Sequence, residues 1–230
     1  MFTFMASRLK RLALLGFFVC GSLLEVPVYA LDRSNILLDI VTHCVNTASA
    51  NYCSACRVPR NDAQCGAPQE CQKNTEVWAL SDHYTVIRDI KMCGCPGSFV
   101  HGLALPIYPV TGVEDPKRPE GIWQFAWDAG VRRIAPETLA LVVNPRLRRS
   151  QNQLHVHIVR LAPEASQRLD QENPSYVRTL DAIWATAARD AAAKGLDDYG
   201  VLVKQGPVGG FWVAVTSYSP ESAFTQWRCD

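Results

Sequence analysis

Apolar and polar positions alternate along residues 153–161, Gln-Leu-His-Val-His-Ile-Val-Arg-Leu. Side chains of a strand point to opposite faces in turn. Leu154, Val156 and Ile158 therefore share one face, suited to burial, and Gln153, His155, His157 and Val159 share the other. The stretch holds no Pro or Gly and is rich in β-branched residues, which predicts a strand. Similar patterns predict strands over 76–80, 84–90, 98–106 and 139–143. The last of these ends at Asn144-Pro145, because proline has no N–H to continue a ladder. It pairs with the histidine strand across the loop 145–152. Residues 199–203 and 211–218 read as a closing hairpin across 206–210.

Helical spacing appears elsewhere. Ile36, Leu37, Ile40 and Val41 predict a short helix within 31–45, and Ile122, Phe125, Ala126, Ala129 and Ile134 predict another over 121–134. Trp123 and Trp127 on that second helix read as core packing. Residues 162–168 suggest a short helix, and the Ala-rich stretch 175–194 a longer one ending at Gly195 as its C-cap. Strands with interspersed helices and hairpins predict an α+β fold with an antiparallel sheet, flanking helices and a Cys-rich N-terminal segment.

The first thirty residues stand apart. Arg8, Lys10 and Arg11 precede an apolar run at 12–24, and Val28-Tyr29-Ala30 offers a small-residue cleavage site. This is the pattern of a signal peptide, with an uncleaved N-terminal membrane anchor as the alternative. The remaining residues, 31–230, suit a single domain, of which 31–97 includes the Cys-rich segment. A net charge of +1 carries no nucleic-acid footprint.

The cysteines agree with export. Outside the leader stand Cys44, Cys53, Cys56, Cys65, Cys71, Cys93, Cys95 and Cys229, an even set that reads as disulfides in an exported chain. A zinc site on Cys53, Cys56, Cys65 and Cys71 is the competing reading, although its second pair lacks the usual Cys-x-x-Cys spacing.

Chemistry concentrates on the histidine strand. A neutral imidazole is a good nucleophile toward phosphorus and a good leaving group from it. Asn144, Ser150 and Gln153 supply short polar groups nearby, and Arg146, Arg148 and Arg149 supply positive charge for a diphosphate. The same histidines could be structural, or two ligands of a metal whose third comes from His43, His83, His101 or a carboxylate. The arginines could equally line a solvated loop.

Asn144, Ser150 and the run Gln153-Leu-His155-Val-His157-Ile-Val together resemble the signature of the histidine-triad (HIT) superfamily. More narrowly, the chain is similar to the bacterial CDP-diacylglycerol pyrophosphatases. Residues 105–116, 122–127 and 199–203 support the likeness, which spans about 84–218. The resemblance implies a HIT-like sheet and a hydrolase that releases CMP and phosphatidate from CDP-diacylglycerol. It implies His155 as the nucleophile that forms a nucleotidyl-histidine. His157 would contact the phosphate and assist departure of the leaving group, and Asn144 and Ser150 would be hydrogen-bonding positions. It implies no cofactor, and a CDP-linked lipid at a membrane surface as the partner. The expected location is the bacterial periplasm, with 8–30 as the anchor if uncleaved. Gln153 departs from the pattern, standing where the first histidine of the triad belongs; an amide can still donate or accept there. The Cys-rich segment is a second departure. Two other functions remain open: hydrolysis of another nucleoside diphosphate conjugate, and a disulfide-rich exported binding module on the same scaffold.

Overall fold

A computed structural model describes residues 35–41, 76–92 and 95–229 of the chain. The leader, most of the Cys-rich segment, and with them Cys44, Cys53, Cys56, Cys65, Cys71, Cys93 and His43, lie outside the described residues.

The described residues build one eight-stranded sheet: β1 (Val77–Leu80), β2 (Tyr84–Arg88), β3 (His101–Pro106), β4 (Leu139–Val143), β5 (Val156–Arg160), β6 (Ser175–Val177), β7 (Gly200–Gln205) and β8 (Phe211–Thr216). Its order is β1-β2-β3-β5-β4-β7-β8-β6, and every pair is antiparallel. The helices are α1 (Ile36–Asp39), α2 (Ile122–Gly130), α3 (Ala165–Gln171), α4 (Ile183–Ala193) and α5 (Pro220–Phe224). This is the α+β class that the pattern predicts.

The alternation of 153–161 is realised. Leu154, Val156 and Ile158 enter the main core with Leu139, Leu141 and Val143 of β4, beneath α2 and α4. Trp123 and Trp184 meet there, their ring centroids 4.8 Å apart. The opposite face is covered in two patches. Leu37, Ile40 and Val41 of the N-terminal segment pack on Ile87, Leu103 and Leu105. Ala165, Leu169 and Phe224 pack on Ala140, Val142, Val159, Leu202 and Ala214.

The predicted helix 175–194 divides. Ser175–Val177 is an edge strand on β8, and α4 proper begins only at Ile183. Pro174 and the extended backbone of Thr179 interrupt helical geometry, while Tyr176 and Val177 favour a sheet. The C-terminal end fits the expectation: Gly195 takes φ +66 beyond the cap, and the Leu196 N–H returns to the Ala191 carbonyl. Helix α5 is absent from the pattern-based expectation, which stops at 218. Its signal is nonetheless local: Ser219 caps it, Pro220 occupies the first turn and Glu221 follows.

Candidate functional site

Strand β5 lies between β3 and β4, and this position assembles the site. Its register sets His157 opposite Leu103 of β3 and Val142 of β4, and Val159 opposite His101. His101 and His157 are thus diagonal neighbours on one face, within reach of long side chains. Their rings meet, with His101 Nε2 2.9 Å from His157 Nδ1. His155 and His157 pack edge to face, centroids 4.8 Å apart. All three imidazoles are buried.

The partners determine the tautomers. His155 Nδ1 lies 2.7 Å from the Gln153 carbonyl, so it carries the proton and donates, leaving a lone pair on Nε2. His101 Nδ1 lies 3.1 Å from the Trp227 carbonyl and likewise donates. A neutral His101 therefore accepts at Nε2 from His157 Nδ1–H. His157 Nε2 is left as an acceptor, facing Asn144 Nδ2 at 3.4 Å.

Asn144 is held from both ends. Its Nδ2 donates to Glu221 Oε2 at 2.7 Å, and its Oδ1 accepts from Ser219 Oγ at 2.8 Å. Lys91 Nζ lies 2.7 Å from Glu221 Oε1 and 5.1 Å from the Trp227 ring centroid. The Cys95–Cys229 disulfide, bridging positions 134 apart, ties the segment carrying Trp227 to the turn before β3. The one described bridge thus anchors the carbonyl that orients His101.

Burial determines the electrostatics. Desolvation holds His155 below the ordinary histidine value, against the Gln153 hydrogen bond and the carboxylates of Glu221 and Asp89. Desolvation, then the neighbouring His155 and His101, push His157 well below it. His101 falls to about 4: burial and the Lys91 charge outweigh the pull of Glu221 toward protonation. All three are neutral at pH 7, which a nucleophile requires.

The Gln153 side chain directs its hydrogen bonds to the loop after β3 rather than to an imidazole. Its amide nitrogen donates to the carbonyls of Pro106 and Tyr108 at 3.0 and 2.9 Å, and its oxygen accepts from the Val110 N–H. The residue braces the loop after β3 while its own carbonyl orients His155. That loop forms one wall of a cleft lined by Thr111, Gly112, Asn144, Arg149, Gln153 and His155. Arg149 grips Glu114 with both terminal nitrogens. Burial would raise the Glu114 pKa, but the Arg149 hydrogen bonds hold it below the ordinary value. A side chain on Gly112 would meet the Arg149 guanidinium and the Glu114 carboxylate, so it would have to displace this pair.

Arg146, Arg148 and Ser150 sit exposed on the loop, and His83 is exposed just before β2. Of the three loop arginines, Arg149 is the one that lines the cleft. Asp89, Lys91, Ser219 and Glu221 are absent from the sequence-based set. His101 appears in it only as one of several possible third ligands. No local spacing links these residues; strand register and the folding back of the C-terminal segment do.

Among proteins already grouped by sequence, the model of the family described as CDP-diacylglycerol pyrophosphatase matches residues 33–189, which include Asn144 and the whole histidine strand.

Proposed function

Because the chain belongs to the CDP-diacylglycerol pyrophosphatase family, and is thus a hydrolase of CDP-diacylglycerol, we propose that His155 is its nucleophile. The observation that carries this reading is the 2.7 Å contact of His155 Nδ1 with the Gln153 carbonyl, which leaves the Nε2 lone pair unprotonated on a residue that lines the cleft. Nε2 attacks the phosphorus next to the cytidine. The bond from that phosphorus to the bridging oxygen breaks, and phosphatidate leaves with the oxygen and its electron pair. A phosphate monoester is a stable anion at pH 7, so departure needs little protonation.

The cytidylyl-histidine then reacts with water, releasing CMP and restoring the imidazole. The His157 Nε2 lone pair is suited to take the proton of that water. Asn144 and Arg149 are donors for the phosphate oxygens, with Ser150 and Arg146 approaching from the exposed loop. Gln153 acts through its backbone carbonyl and as a brace. The likeness of the His155 strand to the HIT signature favours the same two-step route. The Cys95–Cys229 disulfide fits an exported protein acting at the periplasmic membrane face, where a lipid-linked substrate lies. No helix among the described residues is long and apolar enough to cross a membrane.

The test is chemical trapping. Rapid acid-free denaturation during turnover of cytidine-labelled CDP-diacylglycerol should leave label on the protein, released by mild acid as expected of a phosphoramidate. His155→Ala should carry no label, lose at least about a thousandfold in CMP release and keep its circular dichroism. Undiminished turnover in that variant would remove His155 from the role.

A further inference from the structure

Beside His157, on the face it shares with His155, ligand-type atoms converge that the reaction leaves without a task. Asp89 Oδ2 lies 3.3 Å from His101 Nε2, which lies 2.9 Å from His157 Nδ1. One ligand atom from each of these buried residues falls within 4.8 Å of the others. Glu221 Oε1 adjoins them, 3.4 Å from His157 Nδ1 and 3.5 Å from His101 Nε2.

Hydrogen bonding alone does not account for this packing. The Trp227 carbonyl holds the His101 proton on Nδ1. His101 Nε2 therefore presents a lone pair to a carboxylate oxygen and to His157 at once. The single proton on His157 Nδ1 can satisfy only one of these contacts. Two acceptors in contact need a cation or a further proton between them. Donors around a tetrahedral ion with ~2.0–2.1 Å bonds stand roughly 3.3 Å apart, close to the two His101 spacings, while Asp89 and His157 stand within 4.8 Å and would draw together around an ion. Two imidazoles and a carboxylate suit zinc-class ions better than calcium or magnesium.

We propose that Asp89, His101 and His157 form a binding site for one divalent transition-metal ion of the zinc class, on the ring nitrogen of His157 opposite the one that faces Asn144. Glu221 remains paired with Lys91, and water completes the coordination. The ion takes no step in the hydrolysis. With the ion on Nδ1, the neutral His157 ring carries its proton on Nε2, so in the loaded form that nitrogen is a donor and no longer the lone pair that takes the water's proton. The site stands whether or not His155 is the nucleophile, and its test reads binding rather than turnover.

Full-length protein with its disulfides intact, stripped of metal, is titrated with Co²⁺ and followed by visible absorption. One equivalent should bind with the d–d bands of a four-coordinate nitrogen and oxygen site, without a thiolate charge-transfer band, and Zn²⁺ should displace it. Asp89→Asn, nearly isosteric, should weaken binding by more than the roughly 10- to 100-fold typical of outer-shell losses, with the melting of the metal-free protein little changed. His101→Gln should abolish it. Absence of stoichiometric uptake would overturn the site and leave a proton on Asp89 as the bridge. A thiolate band with unaltered affinity in Asp89→Asn would move the ion to the cysteines and overturn it equally.

Discussion

On one face of the sheet, β4 and β5 turn Leu139, Leu141, Val143, Val156 and Ile158 against α2 and α4. On the other, the same two strands lead to Asn144, His155 and His157, which meet His101, Glu221 and Ser219. The first face is held by non-directional burial, to which each side chain contributes in proportion to its area. The second is held by directed contacts, each of which assigns a proton to a particular atom. Packing tolerates exchange of one apolar side chain for another of similar volume. A chain of imidazoles oriented by Gln153 and Trp227 carbonyls does not tolerate exchange of its members. Stability should therefore reside mainly in the first face, and activity in the second.

Substitution on the apolar face should show the largest effect on stability. Trp123 is fully buried against Trp184, so Trp123→Ala should cost about 3–5 kcal/mol, lowering Tm by roughly 10 °C or more. Turnover per folded molecule, measured well below the new Tm, should stay near the parent value. A comparable loss of specific activity would mean that the two faces are coupled.

The reverse outcome is expected for Glu221→Gln. An amide keeps the volume but weakens the grip on Asn144 Nδ2 and gives up the Lys91 ion pair. CMP release should fall by on the order of ten- to a hundredfold, through kcat more than KM, with less than about 1 kcal/mol lost in denaturant unfolding.

Acid should separate the faces as well. An unperturbed histidine is half protonated at pH 6.5, but burial lowers the His155 pKa, so the bond-breaking rate should stay level through 6.5 and decline only below it. Stability should follow in the same direction. Between about 4, where folded His101 takes up its proton, and 6.5, where the unfolded chain does, the unfolded state binds more protons. Lowering the pH through that window should therefore lower Tm, and a bell centred on 6.5 for either quantity would contradict the burial.

The smallest contrast lies within the arginine loop. Arg149→Ala should raise KM severalfold, since Arg149 lines the cleft and is braced by Glu114. Arg146→Ala, on the exposed stretch, should change KM by less than about twofold at moderate salt. Equal effects would mean that substrate lies across the loop rather than in the cleft.

Much of this arrangement is legible in the residues. Alternation along 153–161 separates the buried face from the reactive one because a strand's side-chain period is two. Asn144-Pro145 marks the end of β4, and the HIT-like spacing of Asn144, His155 and His157 points to phosphorus chemistry before any tertiary contact is known. The strand 175–177 was hidden because its pairing with β8 outweighs the Ala-rich run that follows it.

The chain alone therefore determines which strand carries the paired histidines and which of its faces they share, since these follow from local period and residue type; His155 as the residue that attacks is what the family resemblance implies. Only the fold decides that β5 lies between β3 and β4, bringing His101 diagonally onto His157 across 56 positions of sequence. Only the fold brings Glu221 back to Asn144 across 77 positions, and directs the Gln153 side chain to brace the 106–110 loop. Contacts at such separations depend on register and chain reversal, which no local pattern encodes, and here they orient His101, His157 and Asn144.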